Sequence, residues 1–126
     1  MKFLTLNTHS WMEENPQQKF EDLLKDILAK QYDVICFQEI NQTIESPVVP
    51  VNDLYHPTPS AEPIHQDHYV RCLVEKLEEE GLSYHWTWAY NHIGYDRYHE
   101  GVAILSRTPI QASELLVSDV NDPTDY

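Results

Sequence analysis

The stretch Tyr32-Asp-Val-Ile-Cys-Phe-Gln-Glu39 decides how this chain folds. Its apolar centre is too short for a helix, and continuous apolar runs of this length are typical of strands buried on both faces. We therefore predict a strand over residues 33–37, followed by Gln38 and Glu39. A carboxylate at the mouth of such a strand is either held rigidly where a hard cation could bind or is an ordinary solvated residue.

The residues before this strand complete a βαβ pattern. Residues 2–7 predict a first strand that ends at Asn7. Asn15-Pro16 predicts the start of a helix, because a short polar side chain can cap it and proline fits its first position. Apolar residues then recur at helical spacing: Phe20, Leu23, Leu24, Ile27 and Leu28. This order predicts a right-handed crossover and an α/β sheet.

The residues after Glu39 predict an insertion, a second helix and further strands. Residues 41–66 contain five prolines, and so long an irregular segment is a binding loop, a mobile lid or a disordered insertion without function. A helix is expected over 67–80, with Gly81 as its left-handed stop. Strands are expected over 82–90, 101–105 and 110–117, with a polar turn over 94–99.

Composition limits the classes of function. With 126 residues, 41% apolar and 23% charged, the chain is one globular domain or part of one. A formal net charge of −13 without a basic run disfavours non-specific binding to nucleic acid. Cys36 and Cys72 lack CxxC spacing and are expected to be reduced. We predict neither a targeting nor a transmembrane segment, and therefore a cytoplasmic protein.

Polar side chains at the strand ends could carry chemistry. Asn7 and Glu39 end two strands that a βαβ unit places side by side, and open α/β sheets bind ligands at this edge. Amide and carboxylate oxygens suit Mg²⁺ or Mn²⁺ rather than zinc. Glu100 precedes another buried strand, where it could orient a catalytic imidazole or be a solvated turn residue.

Three blocks in this order resemble the endonuclease/exonuclease/phosphatase superfamily, the group of deoxyribonuclease I, abasic-site endonucleases, neutral sphingomyelinases and inositol-polyphosphate 5-phosphatases. The blocks are Leu4-Thr-Leu-Asn7, Asp33-Val-Ile-Cys-Phe-Gln-Glu39 and Glu100-Gly-Val-Ala-Ile-Leu-Ser-Arg-Thr-Pro-Ile110. The resemblance implies half of a four-layer α/β/β/α sandwich of the deoxyribonuclease I-like type, built on mixed sheets. It also implies Mg²⁺-dependent hydrolysis of a phosphodiester or phosphomonoester, with Mn²⁺ as an alternative ion.

The same resemblance implies roles for individual residues. Asn7 and Glu39 would be metal-site residues supported by Gln38, with Asn7 also catalytic. Glu100 falls where deoxyribonuclease I-like members carry the carboxylate that orients a catalytic histidine. A loop near the substrate phosphate would contain Arg97, Tyr98 and His99. His9 stands where some nucleases of the group have an acid. Because magnesium binds neutral imidazole poorly, we expect His9 to touch phosphate or form the rim.

The chain also departs from the family pattern. The family's later Gly-Asp-x-Asn and Ser-Asp-His blocks are absent, and Asp67-His68 opens a predicted helix instead. Residues 1–126 are therefore predicted to be the amino-terminal part of one domain, whose missing half would cover the inner face of the sheet.

Two alternatives to the phosphoesterase hypothesis stay open. One is a family member that has lost catalysis and acts as a binding module. The other is an unrelated α/β domain, which predicts that Asn7 and Glu39 lie far apart. The sequence does not distinguish nucleic acid, sugar phosphate and lipid head group as substrates.

Trp86 and Trp88 share one strand face and are expected to pack in the core rather than stack on a ligand.

Overall fold

A computed structural model describes residues 1–12, 14–59, 61–94 and 98–110, with residues 91–94 and 98 described by their backbone alone. In chain order the described elements are β1 (Phe3–Asn7), a 3-10 turn (Ser10–Met12), α1 (Pro16–Lys30), β2 (Val34–Thr43), α2 (Tyr69–Glu79), β3 (His85–Gly94) and β4 (Tyr98–Ser106). The described strands form one mixed sheet in the order β1-β2-β4-β3. The predicted α/β fold is confirmed, whereas the strand predicted over 110–117 lies outside the described residues apart from residue 110.

The predicted βαβ unit is present. β1 and β2 pair in parallel, and Asn7 is the register partner of Gln38. α1 begins at Pro16 as predicted, but Asn15 is left-handed and its side chain makes no capping hydrogen bond. Its carbonyl instead accepts a hydrogen bond from the backbone N–H of Lys19 at 3.1 Å. The helix therefore starts at the predicted residue without the predicted side-chain cap.

β2 is twice as long as predicted and contains a bulge. It continues to Thr43 instead of ending at Phe37. The pairing with β4 shifts between Phe37 and Ile40, so Gln38 and Glu39 together stand opposite one residue of β4. Because of this extra residue, Phe37 and Ile40 both lie in the core at 0% exposure.

The predicted insertion is ordered over the residues that the structure describes. Its first residues belong to β2, and the Asp67 carboxylate accepts hydrogen bonds from Thr43 and Ser46. Tyr55 forms a bridge to Trp86 of β3. Of the alternatives stated above, a disordered insertion is therefore wrong for the described residues.

The core lies between one face of the sheet and the two helices. Trp86 and Trp88 lie in this core at 2% and 0% exposure, which confirms their predicted packing role. The Trp88 ring also donates through Nε1 to the Ile40 carbonyl at 3.2 Å. The two tryptophans thus anchor β3 in the core.

The opposite face of the sheet is apolar but poorly covered by the described residues. Phe3 is 65% exposed and Ile104 is 40% exposed, while Cys36 and Val102 are half-buried. These residues share a face because they alternate with the core residues along their strands. No helix among the described residues is long and apolar enough to cross a membrane.

Candidate functional site

Asn7 and Glu39 meet where β1 ends and where the bulge in β2 lies. We call this end of the strands the edge of the sheet. The amide Nδ2 of Asn7 donates a hydrogen bond to Glu39 Oε2 over 2.5 Å. The Glu39 side chain keeps 40% of its surface exposed, so the carboxylate is accessible from solvent. The hypothesis of an unrelated domain predicted these two residues far apart, and that prediction is wrong.

The bulge in β2 aims the Glu39 side chain at Asn7. Glu39 has a left-handed backbone with φ 57°, which costs a non-glycine residue about 1–3 kcal/mol. Ser10 compensates for the interrupted pairing: its hydroxyl donates to the Glu39 carbonyl at 2.7 Å and accepts from the Asn41 N–H at 3.1 Å. Sequence reasoning missed Ser10, because an isolated serine in a polar loop carries no signal of this role.

The turn after β1 folds back over the bulge and places His9 on Glu39. The backbone N–H and the hydroxyl of Thr8 both donate to the Gln38 carbonyl at 3.2 Å. His9 is left-handed at φ 56°, and its ring Nδ1 lies 3.0 Å from Glu39 Oε1. The two Glu39 oxygens therefore have different neighbours, the Asn7 amide and the His9 imidazole.

The orientation of the Asn7 amide differs from the expected one. We expected an amide oxygen and a carboxylate to converge on a cation. In the structure the amide nitrogen faces Glu39, while the oxygen accepts a hydrogen bond from the His9 N–H at 3.2 Å. Asn7 thus holds the Glu39 carboxylate in place, and its role as a metal ligand stays a prediction.

Gln38 lies beside the site rather than in it. Its Nε2 is 3.2 Å from Thr5 Oγ1 and 3.6 Å from Cys36 Sγ. Its contribution to the edge runs through the backbone, since its carbonyl accepts both hydrogen bonds from Thr8. Support of the metal site by the Gln38 side chain stays a prediction.

Glu100 lies at the same edge of the sheet, on β4. Its register partner on β2 is Asn41, so the prediction that Glu100 precedes its strand, and the alternative of a turn residue, are both wrong. Asn41 is 1% exposed, and its Oδ1 has no hydrogen-bond partner within the described part of the chain. The structure brings Glu100 to the edge that carries Glu39, and its catalytic role stays a prediction.

The three residues expected in a phosphate-binding loop have different positions. Arg97 lies outside the described residues. The expectation of a loop is wrong for Tyr98 and His99. They belong to β4, where they pair with Thr43 and Gln42 of β2. Neighbouring strand residues point to opposite faces, so His99 and Glu100 point away from each other.

The His99 ring lies in an interior polar contact. Its Nδ1 is 3.1 Å from Gln42 Nε2, and burial lowers the pKa of His99 below its ordinary value. The Gln42 side chain is fully buried and also holds the insertion, through hydrogen bonds to Pro63 and His65. The predicted contact of His99 with phosphate is not supported by this placement.

Asp67 and His68 have structural roles, as their place at the start of a helix predicts. The Asp67 carboxylate holds residues 43–46. His68 Nδ1 accepts the backbone N–H of Arg71 at 3.3 Å and so caps α2. Burial lowers the pKa of His68 to about 3, which keeps its ring neutral.

The edge offers few ligands for a metal ion. No group of three or more histidine, cysteine, aspartate or glutamate side chains that could hold a metal occurs in the described part of the chain. Magnesium, however, commonly takes one or two protein carboxylates and keeps several waters. The half-exposed Glu39 carboxylate fits such an ion, and it would be the principal protein ligand.

A family model and a solved structure that match this chain point to the same family. A family model described as the Endonuclease/Exonuclease/phosphatase family matches residues 10–125. Among solved structures, the chain is similar to an endonuclease/exonuclease/phosphatase family protein from Leptotrichia buccalis C-1013-b, with a TM-score of 0.73 and 37% identity. The match covers 89% of this chain and 39% of that protein, so the chain spans about two fifths of the relative's length. No curated protein matches the chain.

Proposed function

Because the chain belongs to the endonuclease/exonuclease/phosphatase family, a superfamily of hydrolases, we propose that the complete protein hydrolyses phosphodiester or phosphomonoester bonds with a divalent metal ion. The observation that carries this proposal is the Asn7–Glu39 contact of 2.5 Å at the edge of the sheet. It holds one carboxylate rigidly and leaves 40% of that side chain exposed.

Each residue at the edge has a distinct part in the proposed reaction. A divalent ion supplies Lewis-acid stabilisation of charge on the phosphoryl group when it is bound. Glu39 would bind that ion, and Asn7 would keep the carboxylate in one rotamer through its amide N–H. Glu100 would orient a histidine from the rest of the protein, since the family's Ser-Asp-His block is absent from residues 1–126.

We propose that the remainder of the protein covers the open face of the sheet. Two observations support this: the chain spans 39% of its solved relative, and Phe3 and Ile104 expose apolar surface on that face. Exposed apolar faces of this kind are normally buried by another layer. The covering half would also carry the water-activating aspartate and the catalytic histidine.

The charge of the chain bears on the substrate. A net charge of −13 repels a phosphate backbone over long distances, so we propose a small phosphoester or a lipid head group rather than non-specific nucleic acid.

Free thiols at Cys36 and Cys72 fit the proposed cytoplasmic location.

A hydrolysis assay on the complete protein tests the proposal. We expect turnover of bis(p-nitrophenyl) phosphate or p-nitrophenyl phosphate with Mg²⁺ or Mn²⁺, and loss of turnover with EDTA. Glu39→Gln should lower the rate by about a hundredfold or more, comparable to losing one strong electrostatic contact in an active site. Glu21→Gln is the matched control, because Glu21 is an exposed carboxylate on α1.

Two results would contradict the proposal. Hydrolysis that EDTA and Glu39→Gln leave unchanged would reject the metal role of this edge. No turnover of any phosphoester, together with retained binding of one, would favour the alternative of a family member that acts as a binding module.

A further inference from the structure

We propose that His9 is a second protein ligand of the divalent ion at Glu39 and makes the site prefer Mn²⁺ over Mg²⁺. This inference rests on the proposed metal-dependent function and adds a residue and an ion preference to it. It reverses the expectation drawn from the sequence, in which His9 only touched phosphate or the rim.

The spacing of the two side chains supports shared coordination. His9 Nδ1 and Glu39 Oε1 lie 3.0 Å apart. In an octahedral site with metal–ligand bonds of about 2.1 Å, adjacent ligands are about 3.0 Å apart. The distance that forms a hydrogen bond without a metal is therefore also the distance that two neighbouring ligands need with one.

The hydrogen bonds of Asn7 engage both polar atoms of its side chain within the edge. The amide oxygen of Asn7 is engaged by the His9 backbone N–H, and its nitrogen faces Glu39 Oε2. The side chains of His9 and Glu39 are 51% and 40% exposed, which leaves room for the several waters that such an ion keeps.

The backbone around His9 is fixed in a conformation that non-glycine residues rarely adopt. His9 and Ser10 are consecutive left-handed residues with φ 56° and 48°. Hydrogen bonds on both sides hold this turn: Thr8 donates to the Gln38 carbonyl, and Ser10 donates to the Glu39 carbonyl. Strained backbone of this kind concentrates at ligand-binding sites, and here its effect is to place an imidazole on a carboxylate.

The ligand chemistry decides which ion this pair prefers. Magnesium favours oxygen ligands and binds imidazole poorly, whereas transition-metal ions accept imidazole nitrogen alongside carboxylate oxygen. One imidazole and one carboxylate with waters suit Mn²⁺, which shares the octahedral preference of Mg²⁺. Removing the imidazole should therefore weaken Mn²⁺ binding and leave Mg²⁺ binding nearly unchanged.

Calorimetric titration of the complete protein with MnCl₂ and with MgCl₂ tests this. His9→Asn is the main variant, because asparagine tolerates a left-handed backbone. We expect its Mn²⁺ dissociation constant to rise by about tenfold, the lower end for lost support at a metal site, with little change for Mg²⁺. His56→Asn is the control, since His56 contacts His85 at 2.9 Å and has no place in the proposed site. His9→Gln repeats the test if His9→Asn folds poorly.

Pulsed electron paramagnetic resonance of the Mn²⁺-bound protein gives a readout independent of activity. We expect a coupling to imidazole ¹⁴N in the unmodified protein and in His56→Asn, and its loss in His9→Asn. Equal weakening of Mn²⁺ and Mg²⁺ binding, or no ¹⁴N coupling, would overturn the assignment of His9 as a ligand. Phosphoester hydrolysis that persists in such a case would leave the proposed function standing, so the two failures are distinguishable.

Discussion

Replacing Ser10 by alanine removes the hydroxyl that joins the two sides of the bulge in β2. Ser10 is 2% exposed, and its Oγ donates to the Glu39 carbonyl at 2.7 Å while accepting the Asn41 N–H at 3.1 Å. Within the described part of the chain, Ser10 supplies the side-chain hydrogen bonds to both of these backbone groups. Ser10→Ala therefore deletes two hydrogen bonds, one to the part-buried Glu39 carbonyl and one from the buried Asn41 N–H.

The expected size of the effect follows from those two bonds. Each buried hydrogen bond contributes about 1–1.5 kcal/mol to stability. We therefore expect Ser10→Ala to lower the free energy of unfolding by about 2–3 kcal/mol. The bulge also sets the direction of the Glu39 carboxylate, so the affinity of the proposed metal site for a divalent ion should fall as well.

Urea unfolding of the complete protein, followed by tryptophan fluorescence, measures this loss. Ser83→Ala is the matched control, because Ser83 is exposed just before β3, and its loss should stay within about 0.5 kcal/mol. If Ser10→Ala were as mild as Ser83→Ala, or if metal affinity did not change, then Ser10 would not be the element that fixes the bulge.

Two further predictions concern the packing of the sheet and the pH dependence of stability. Gly101→Ala should destabilise by about 3 kcal/mol, because the added Cβ would lie 2.1 Å from the Ala89 carbonyl oxygen. A Cβ added at Gly81 would meet open space, and its only cost would be the left-handed backbone with φ 88°. Urea unfolding should therefore show that Gly81→Ala lowers the free energy of unfolding by about 1 kcal/mol. His68 has a pKa lowered by burial to about 3 from 6.5, so below about pH 6.5 the unfolded chain takes up a proton that the fold excludes. Stability should fall by about 2 kcal/mol between pH 8 and pH 5 on this account, and His68→Phe should remove that part of the slope; an unchanged slope would contradict the buried neutral ring.

Part of the fold was predictable from the sequence because its elements carry local apolar patterns. α1 shows its stripe of apolar residues, and the centre of β2 shows a continuous apolar run. The second half of β2 was missed, since Asn41-Gln-Thr43 has no apolar pattern. It is a strand because it pairs with β4, and this pairing is a tertiary interaction that a local reading does not contain.

The candidate site was predictable in its main pair but not in its geometry. A βαβ unit brings the ends of two parallel strands together, which is enough to expect Asn7 beside Glu39. The left-handed backbone of Glu39 carries no sequence signal, because such a conformation usually favours glycine or asparagine. The contacts of Ser10 and His9 with Glu39 follow from that bulge, so they became visible only with the structure.

The extra residue in β2 lets the strand bury its apolar side chains and still present a polar side chain at the edge of the sheet. Phe37 and Ile40 are three positions apart, yet both are fully buried, because Gln38 and Glu39 share one place in the pairing with β4. Glu39 is consequently the extra residue of the bulge, and it does not take part in the alternation of core-facing side chains along β2. A substitution of the Glu39 side chain should therefore change the polar edge while Phe37 and Ile40 stay packed in the core.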